Sequence, residues 1–401
     1  MSQLNDTFTS TGHKFFAHQE AMEGLRDGRG YPIVTHVMLT DTCQHTCAFC
    51  SVQSRVGDSL YYDCVLDYLD ILREYGLKAV ILSGGGNPIL YRCKQSGKDF
   101  NDVVDAIHAR GLEIGLITNG VKLREYIFSP NRDVPIRIKG NCPPNFYKRM
   151  SWATVSPYTL DKLKWIRISM AGLDHAEREV CVPDVDPDKT TLGFSYVAHD
   201  VYDAPEDPHH GKVSTRGDLL DLGVREHRPA WTFESRIEEL RDQFIAYCER
   251  HQPRYLRLLP NCLEPSLIQQ RCDQLQAVAD VVNHRLRRNV VFIQNKPPRA
   301  PRACYLGYVH PVLNSDGYVY PCDSCVLNEA AGHQFANPWR VCHWSEVRKL
   351  YEQPVRSLIA DPARTCPGCV FPKSNEVLES VVLGTANLTP PEGTVEHVNF
   401  V

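Results

Sequence analysis

The sequence predicts an α/β protein built on parallel strands, either an α/β barrel or an open sheet, and three observations carry that expectation. From about residue 33 short apolar runs alternate with amphipathic helical stretches at the spacing of parallel βα units. The stretches richest in glycine, thiol and polar chemistry follow the predicted strands, where such folds collect their functional groups. With 401 residues, 43% hydrophobic and 23% charged, the chain can bury a large core, and no run nears the roughly 18 apolar residues of a membrane helix.

The elements follow in order. "YPIVTHVML" (31–39) reads as a strand feeding a cysteine loop. "DCVLDYLDILREYG" (63–76) reads as an amphipathic helix, because Val65, Leu69 and Leu72, with Leu66 beside them, recur at helical spacing and Gly76 supplies a left-handed stop. "LKAVILSGGG" (77–86) is a second buried strand ending in a glycine loop. "FNDVVDAIHARG" (100–111) is the next helix and "LEIGLITNG" (112–120) the next strand. Strands are predicted again at 164–170, 191–199, 255–260 and 289–295, with helices at 235–251 and 264–285. Two stretches rich in Pro, Asp, His and Arg, about 122–160 and 200–232, break the rhythm and read as lids or binding loops. Pro-rich "NKPPRAPRAC" (295–304) reads as a linker. The expected organisation is an N-terminal extension (1–32), a main α/β domain (33–300), a cysteine-rich module (301–375) and a C-terminal tail (376–401).

Charge excludes little: a net charge of -4 argues against a strongly basic nucleic-acid surface. The first 16 residues lack a basic start and an apolar centre, so a cytoplasmic location is expected rather than secretion. Sixteen cysteines without a secretory signal are better explained as metal ligands than as a disulfide framework. Three sit at 43–50 and six between 304 and 369. Cys64, Cys93, Cys142, Cys181, Cys248, Cys262 and Cys272 are scattered, and scattered thiols read first as small buried hydrophobes.

Cys43, Cys47 and Cys50 offer three soft thiolates, suited to zinc or to an iron-sulfur cluster. A closed zinc site needs four ligands, and His45 alone is near enough in sequence to complete one. The spacing Cys-x3-Cys-x2-Cys closely resembles the signature of the radical S-adenosylmethionine (SAM) enzymes. The resemblance extends over about residues 33–295 and implies a partial (β/α)6 TIM-like barrel. In that family three cysteines hold a four-iron four-sulfur (4Fe-4S) cluster, and the open fourth iron is where SAM chelates. Phe49 then takes the aromatic position that packs against adenine. Ser83, Gly84, Gly85, Gly86, Asn87 and Pro88 resemble the family's Gly-Gly-Glu-Pro segment along the methionine end of SAM, where backbone must approach the ligand closely. Asn87 stands where glutamate is common. Thr118 and Asn119 after the third strand, and Ser169 after the fourth, match positions that contact the nucleoside. Met170, Ala171 and Gly172 replace the usual carboxylate-bearing run after Ser169.

The second cysteine group, Cys304-x12-Gly317-x4-Cys322 with Cys366-x2-Cys369, resembles the auxiliary-cluster modules of the same family, called SPASM and, when shorter, twitch. No cysteine follows Cys369, so the twitch form fits better. The resemblance then implies one auxiliary 4Fe-4S cluster on Cys304, Cys322, Cys366 and Cys369, with Cys325 or Cys342 as possible substitutes; a four-cysteine zinc site is the rival.

By this resemblance the enzyme cleaves SAM reductively, and the 5′-deoxyadenosyl radical takes a hydrogen atom from a small-molecule or peptide substrate. The auxiliary cluster would accept the electron left behind, as in a dehydrogenation or oxidative bond formation. Flavodoxin or ferredoxin would supply electrons. An isomerisation or epimerisation, on a nucleotide or modified base among other substrates, is the alternative. It needs a thiol to return hydrogen, for which Cys142 and Cys181 are the candidates. No segment ahead of residue 33 is large enough for a leader-peptide-binding domain, which lowers the expectation of peptide modification without a partner. His209, His210, Arg225, His227 and Arg228 could grip an anionic or polyhydroxylated substrate, but read first as a solvated loop. The rival from another class is a zinc-stabilised binding protein without catalytic activity.

Overall fold

The computed structural model describes residues 3–9, 12–43, 45, 47, 49–50, 57–119, 155–174, 180–202, 229–262, 264–295, 301–327, 339–366, 369–392 and 395–401. Cys142, the loop residues His209 to Arg228 and most of the two irregular stretches lie outside the described residues.

Every predicted strand forms. They are β1 (Val34–Val37), β2 (Ala79–Leu82), β3 (Glu113–Thr118), β4 (Trp165–Ser169), β5 (Thr191–Ala198), β8 (Tyr255–Pro260) and β9 (Val291–Ile293), with an unpredicted short ribbon, β6 (Val201–Tyr202) and β7 (Pro229–Trp231), between β5 and β8. The chain adds β10 (Val312–Leu313), β11 (Tyr318–Tyr320) and β12 (Cys342–His343). Ten strands make one sheet in the order β12-β11-β10-β1-β2-β3-β4-β5-β8-β9. From β10 to β9 all neighbours run parallel, while β11 and β12 are antiparallel additions. The resemblance implied six parallel strands before residue 300; the seven that the apolar runs predicted form instead. The cysteine-rich segment does not build its own sheet: β10 pairs with β1, Val312 opposite His36 and Leu313 opposite Val37.

Strand alternation divides the side chains between two faces. On one, Val37, Val80, Leu82, Ile114, Leu116, Ile166, Ile168, Phe194, Leu256 and Leu258 are buried in the main core. Helix Tyr62–Glu74 covers part of this face, and its Tyr68 hydroxyl lies 2.8 Å from Thr35 Oγ1. The helix buries Val65, Tyr68, Leu69 and Leu72. Tyr68 takes the place expected of Leu66, because positions i, i+3, i+4 and i+7 share one stripe and Leu66 lies beside it. Helices Phe233–His251 and Ile268–Leu286 pack together, and the second packs onto β8 and β9.

The other face is uneven by design of the sequence. A Cβ on Gly115 would lie 2.1 Å from the Trp165 ring, and one on Gly193 would lie 2.1 Å from the Tyr255 ring. These glycines make room for two aromatic rings to lie flat across neighbouring strands. The chain's last residues, read as a tail, are bound into this region. Lys14 Nζ donates to the His397 and Phe400 carbonyls at 3.2 Å each, His310 Nδ1 lies 2.7 Å from the Val401 carbonyl oxygen, and Phe400 meets Trp165 edge-on. Among the described residues no helix is long and apolar enough to cross a membrane.

Candidate active site at the carboxyl ends of the strands

The cysteine loop leaves β1 and is pinned at both sides before its thiols begin. Thr40 Oγ1 donates to the Asp58 carbonyl at 2.9 Å, and the Asp41 carboxylate accepts the Gly57 N–H at 3.1 Å. Cys43, Cys47 and Cys50 are all partly exposed, and the Cys50 N–H donates to the Cys47 carbonyl at 2.9 Å. His45 is buried, with Nδ1 3.9 Å from Cys47 Sγ.

The glycine loop after β2 docks directly on this segment. Gly84 and Gly85 adopt φ of 80° and 63°, the left-handed region that glycine enters without penalty. The Gly86 N–H donates to the Thr40 carbonyl at 2.9 Å and the Asn87 N–H to the Thr42 carbonyl at 2.8 Å. A Cβ on Gly86 would sit 2.0 Å from Thr42 O. The close approach that requires glycine here is therefore to the cysteine loop itself.

A short relay ties the third strand to the first. Thr118 Oγ1 donates to Asn87 Oδ1 at 2.8 Å, Asn87 Nδ2 donates to Asn119 Oδ1 at 3.0 Å, and Asn119 Nδ2 donates to Cys43 Sγ at 3.4 Å. Asn87 both accepts and donates in this relay, which an ionised glutamate cannot do; that is a physical reason for asparagine at this position. Cys43, Gly86, Asn87, Thr118 and Asn119 are thus joined by direct bonds, through the backbone or side chain. Ser83 is buried at the end of β2, and Ser169 closes β4 opposite Ser195 of β5.

Phe49 packs on His199, ring centroids 4.5 Å apart at 59°. His199 follows β5, its Nδ1 2.9 Å from the Val197 carbonyl oxygen and its Nε2 3.7 Å from Asp174 Oδ2. Asp174 also accepts from the Tyr196 hydroxyl at 3.0 Å and Arg236 Nη1 at 3.3 Å. The sequence reading missed both His199 and Asp174. Their signals were the polar pair closing "YVAHD" and the aspartate two residues beyond Gly172, which restores a carboxylate after β4 farther along than the resemblance placed it.

Burial moves the two groups in opposite directions. Asp174 is pushed up to about 7, chiefly by desolvation, with Tyr196 and Arg236 pulling back. His199 is lowered to about 4, again chiefly by desolvation. The Asp174 contribution to stability is complete below its ordinary 3.8 and lost as pH rises toward 7. The His199 contribution is complete above its ordinary 6.5 and lost as pH falls through 4. Between about pH 4 and 6.5 the two oppose each other. His199→Gln is expected to leave a stability that falls with rising pH in this window, and Asp174→Asn one that rises, each by at most about 1.4 kcal/mol per pH unit. Denaturant midpoints of both variants across the window check this, and parallel slopes would contradict it.

The second thiol group is deeper. Cys304, Cys322, Cys325, Cys366 and Cys369 are all buried, and Cys322 and Cys325 bring their sulfurs to 3.6 Å. Burial, then the neighbouring Cys322, Cys369 and Cys366, holds the Cys304 thiol far above its usual range. The Cys322 and Cys366 thiols, ahead of burial, do the same for Cys325. Cys325 therefore stands inside the set, while Cys342, on β12 beside Glu346 and Lys349, stands outside it. Among the described residues no three His, Cys, Asp or Glu side chains gather closely enough to hold one metal ion. By donor chemistry the set is uniformly soft, which suits iron-sulfur and zinc alike. Cys93 and Cys248 are buried thiols, as expected of the scattered cysteines, whereas Cys64, Cys262 and Cys272 are partly exposed. Cys181 is partly exposed and follows Val180, whose N–H donates to the Tyr247 hydroxyl on helix Phe233–His251 at 2.9 Å.

Residues 37–132 match the family model described as the Radical SAM superfamily, a span that holds the cysteine loop, the glycine loop and Thr118–Asn119. No curated protein matches the sequence. Among solved structures the chain is similar to Streptococcus suis SuiB bound to precursor peptide SuiA, at 12% identity over 89% of this chain and 73% of that one, TM-score 0.48. It is similar to anSMEcpe with bound AdoMet and Cp18Cys peptide at 12% identity over 88% and 83%, TM-score 0.44. A third is the FeFe-hydrogenase maturase HydG from Carboxydothermus hydrogenoformans, at 11% identity over 92% and 83%, TM-score 0.31.

Proposed function

We propose that this chain is a radical SAM enzyme acting on a small-molecule or peptide substrate, with a second iron-sulfur cluster that manages the electron left on the substrate. The observation that carries the reading is the bonded relay from Thr118 through Asn87 and Asn119 to Cys43, on a span that also matches the family model. Cys43, Cys47 and Cys50 would hold the first 4Fe-4S cluster, and Cys304, Cys322, Cys366 and Cys369, with Cys325 as the available substitute, would hold the second. When bound, the first cluster with SAM supplies reductive cleavage to methionine and a 5′-deoxyadenosyl radical able to abstract hydrogen from an unactivated carbon.

The chain's own residues have simpler tasks. Gly84, Gly85 and Gly86 leave backbone, not side chains, along the wall facing the cysteine loop. Asn119 donates to one candidate ligand sulfur and so restrains the Cys43 rotamer. Phe49 and His199 offer a neutral aromatic surface, since burial keeps the imidazole uncharged near neutral pH. The anaerobically reconstituted protein, reduced with dithionite and given SAM, is expected to release 5′-deoxyadenosine and methionine in equal amounts. A zinc-loaded protein that leaves SAM intact would overturn the reading.

A further inference from the structure

The face of the sheet opposite the helices carries charge that the site above it does not use. Strand alternation puts Ile81, Ile117 and Arg167 on the same face as Ser83, Asn119 and Ser169, two residues earlier and so one layer deeper. His36, Arg167, Tyr255, Arg257, Gln294 and Asp323 contribute to the wall of a cavity of about 100 Å³ in this layer. A single buried water needs roughly 10–15 Å³, so the space takes several waters or one small charged group. Arg167 stands on β4 and Arg257 on β8, separated only by β5, where Arg257 pairs with Ser195. Both keep accessible surface while lining the cavity.

Their hydrogen bonding is incomplete. Arg257 Nη1 donates to Gln294 Oε1 at 2.6 Å. The Nε atoms of both arginines and His36 Nε2 are buried without a hydrogen-bond partner among the described residues. Asp323 is the carboxylate whose field reaches both guanidiniums. Burial and then the charge of Arg167 hold Arg257 well below the usual arginine range.

We propose that this cavity is the substrate subsite for an anionic group, a carboxylate or a phosphate, held between the Arg167 and Arg257 guanidiniums. The inference rests on the enzyme reading above and names the substrate class. An anion here would meet planar forks made for bidentate contact and would supply the missing charge. Ile81, Ile117 and Arg167, which line the cavity, precede Ser83, Asn119 and Ser169 by two residues on the same face, so an anion seated between the guanidiniums would anchor a substrate whose remainder extends along that face toward the cysteine loop.

The test uses the full-length, anaerobically reconstituted protein and calorimetric titration with inorganic phosphate and with acetate, at ionic strength matched with chloride. Wild type is expected to bind one equivalent of one of these probes, and the tighter one identifies the group. Arg167→Gln and Arg257→Gln should each weaken binding by about 10- to 100-fold. Arg241→Gln, on an outer helix, should leave it unchanged. Iron content and substrate-free 5′-deoxyadenosine formation are read on every variant. Equal binding in wild type and both glutamine variants, or no binding by iron-loaded wild type, overturns the proposal and leaves the enzyme reading standing. Glutamine variants that alter the redox potential of the second cluster but not anion binding assign the arginines to that cluster and also overturn it. Wild type without iron retires the enzyme reading, whereas loss of anion binding in the variants would still uphold the pocket. Should the glutamine variants fail to fold, Arg257→Lys decides: the charge stays but the fork is lost, so weakened binding supports the proposal and unchanged binding overturns it.

Discussion

Replacing Cys43, Cys47 and Cys50 together by alanine is expected to lower bound iron from about eight to about four per chain and to abolish SAM cleavage. The fold should survive, because these thiols are partly exposed and the loop is anchored outside them, by Thr40 on Asp58 and by Asp41 on Gly57. The remaining iron should stay, because Cys304, Cys322, Cys325, Cys366 and Cys369 form a separate buried set. Iron and sulfide analysis of wild type and variant, reconstituted side by side, decides it. Zinc in place of iron, unchanged by the substitutions, would leave a metal-stabilised binding protein to explain.

The second large effect is expected from one methyl group. Gly86→Ala puts a Cβ 2.0 Å from Thr42 O and 2.5 Å from Thr42 C, and both are backbone atoms that no rotamer change can move. The glycine loop and the cysteine loop must separate, breaking the bonds from Gly86 N–H to Thr40 and from Asn87 N–H to Thr42. Overpacking of this kind costs about 1–3 kcal/mol, a modest loss of global stability. The functional loss should be larger, at least about tenfold in SAM cleavage, since misplacing a site by an ångström costs on the order of a hundredfold. Gly24→Ala is the control. It lies inside helix Gln19–Arg26 with its nearest neighbour, Arg29 O, 3.7 Å from the new Cβ, and should be neutral or stabilising by roughly 0.5–1 kcal/mol. Comparable activity in the Gly86 and Gly24 variants would mean that the loop contact is not part of the site.

Much of this arrangement was legible from residue order. The seven parallel strands before residue 300 were visible as short apolar runs, and several of the helices between them as patterns of period 3.6; both signals are local. Cys43, Cys47 and Cys50 were legible for the same reason: spacing within one loop constrains geometry directly. Asn87 was found but its role was not, since the donor and the acceptor it meets, Thr118 and Asn119 respectively, come from another strand and its end. His199 and Asp174 were invisible as a pair, although His199 closed one predicted strand and Asp174 stood just beyond another, because their meeting depends on β4 and β5 being neighbours.

The sequence by itself determined the class of fold, the strand boundaries to within a few residues and the thiols of the first loop, all properties carried by hydrophobic period and short spacing. Only the tertiary structure decided that β10 extends the main sheet, that Cys325 joins the buried thiols while Cys342 does not, and that Arg167 and Arg257 face one cavity. The physical reason is range. Periodicity tells which residues share a face, but which faces meet depends on strand order and on contacts between residues far apart in the chain. Arg167 in "KWIRISM" and Arg257 in "YLRLLP" read along the chain as charges interrupting apolar strands, and became a site once the sheet set β5 alone between them.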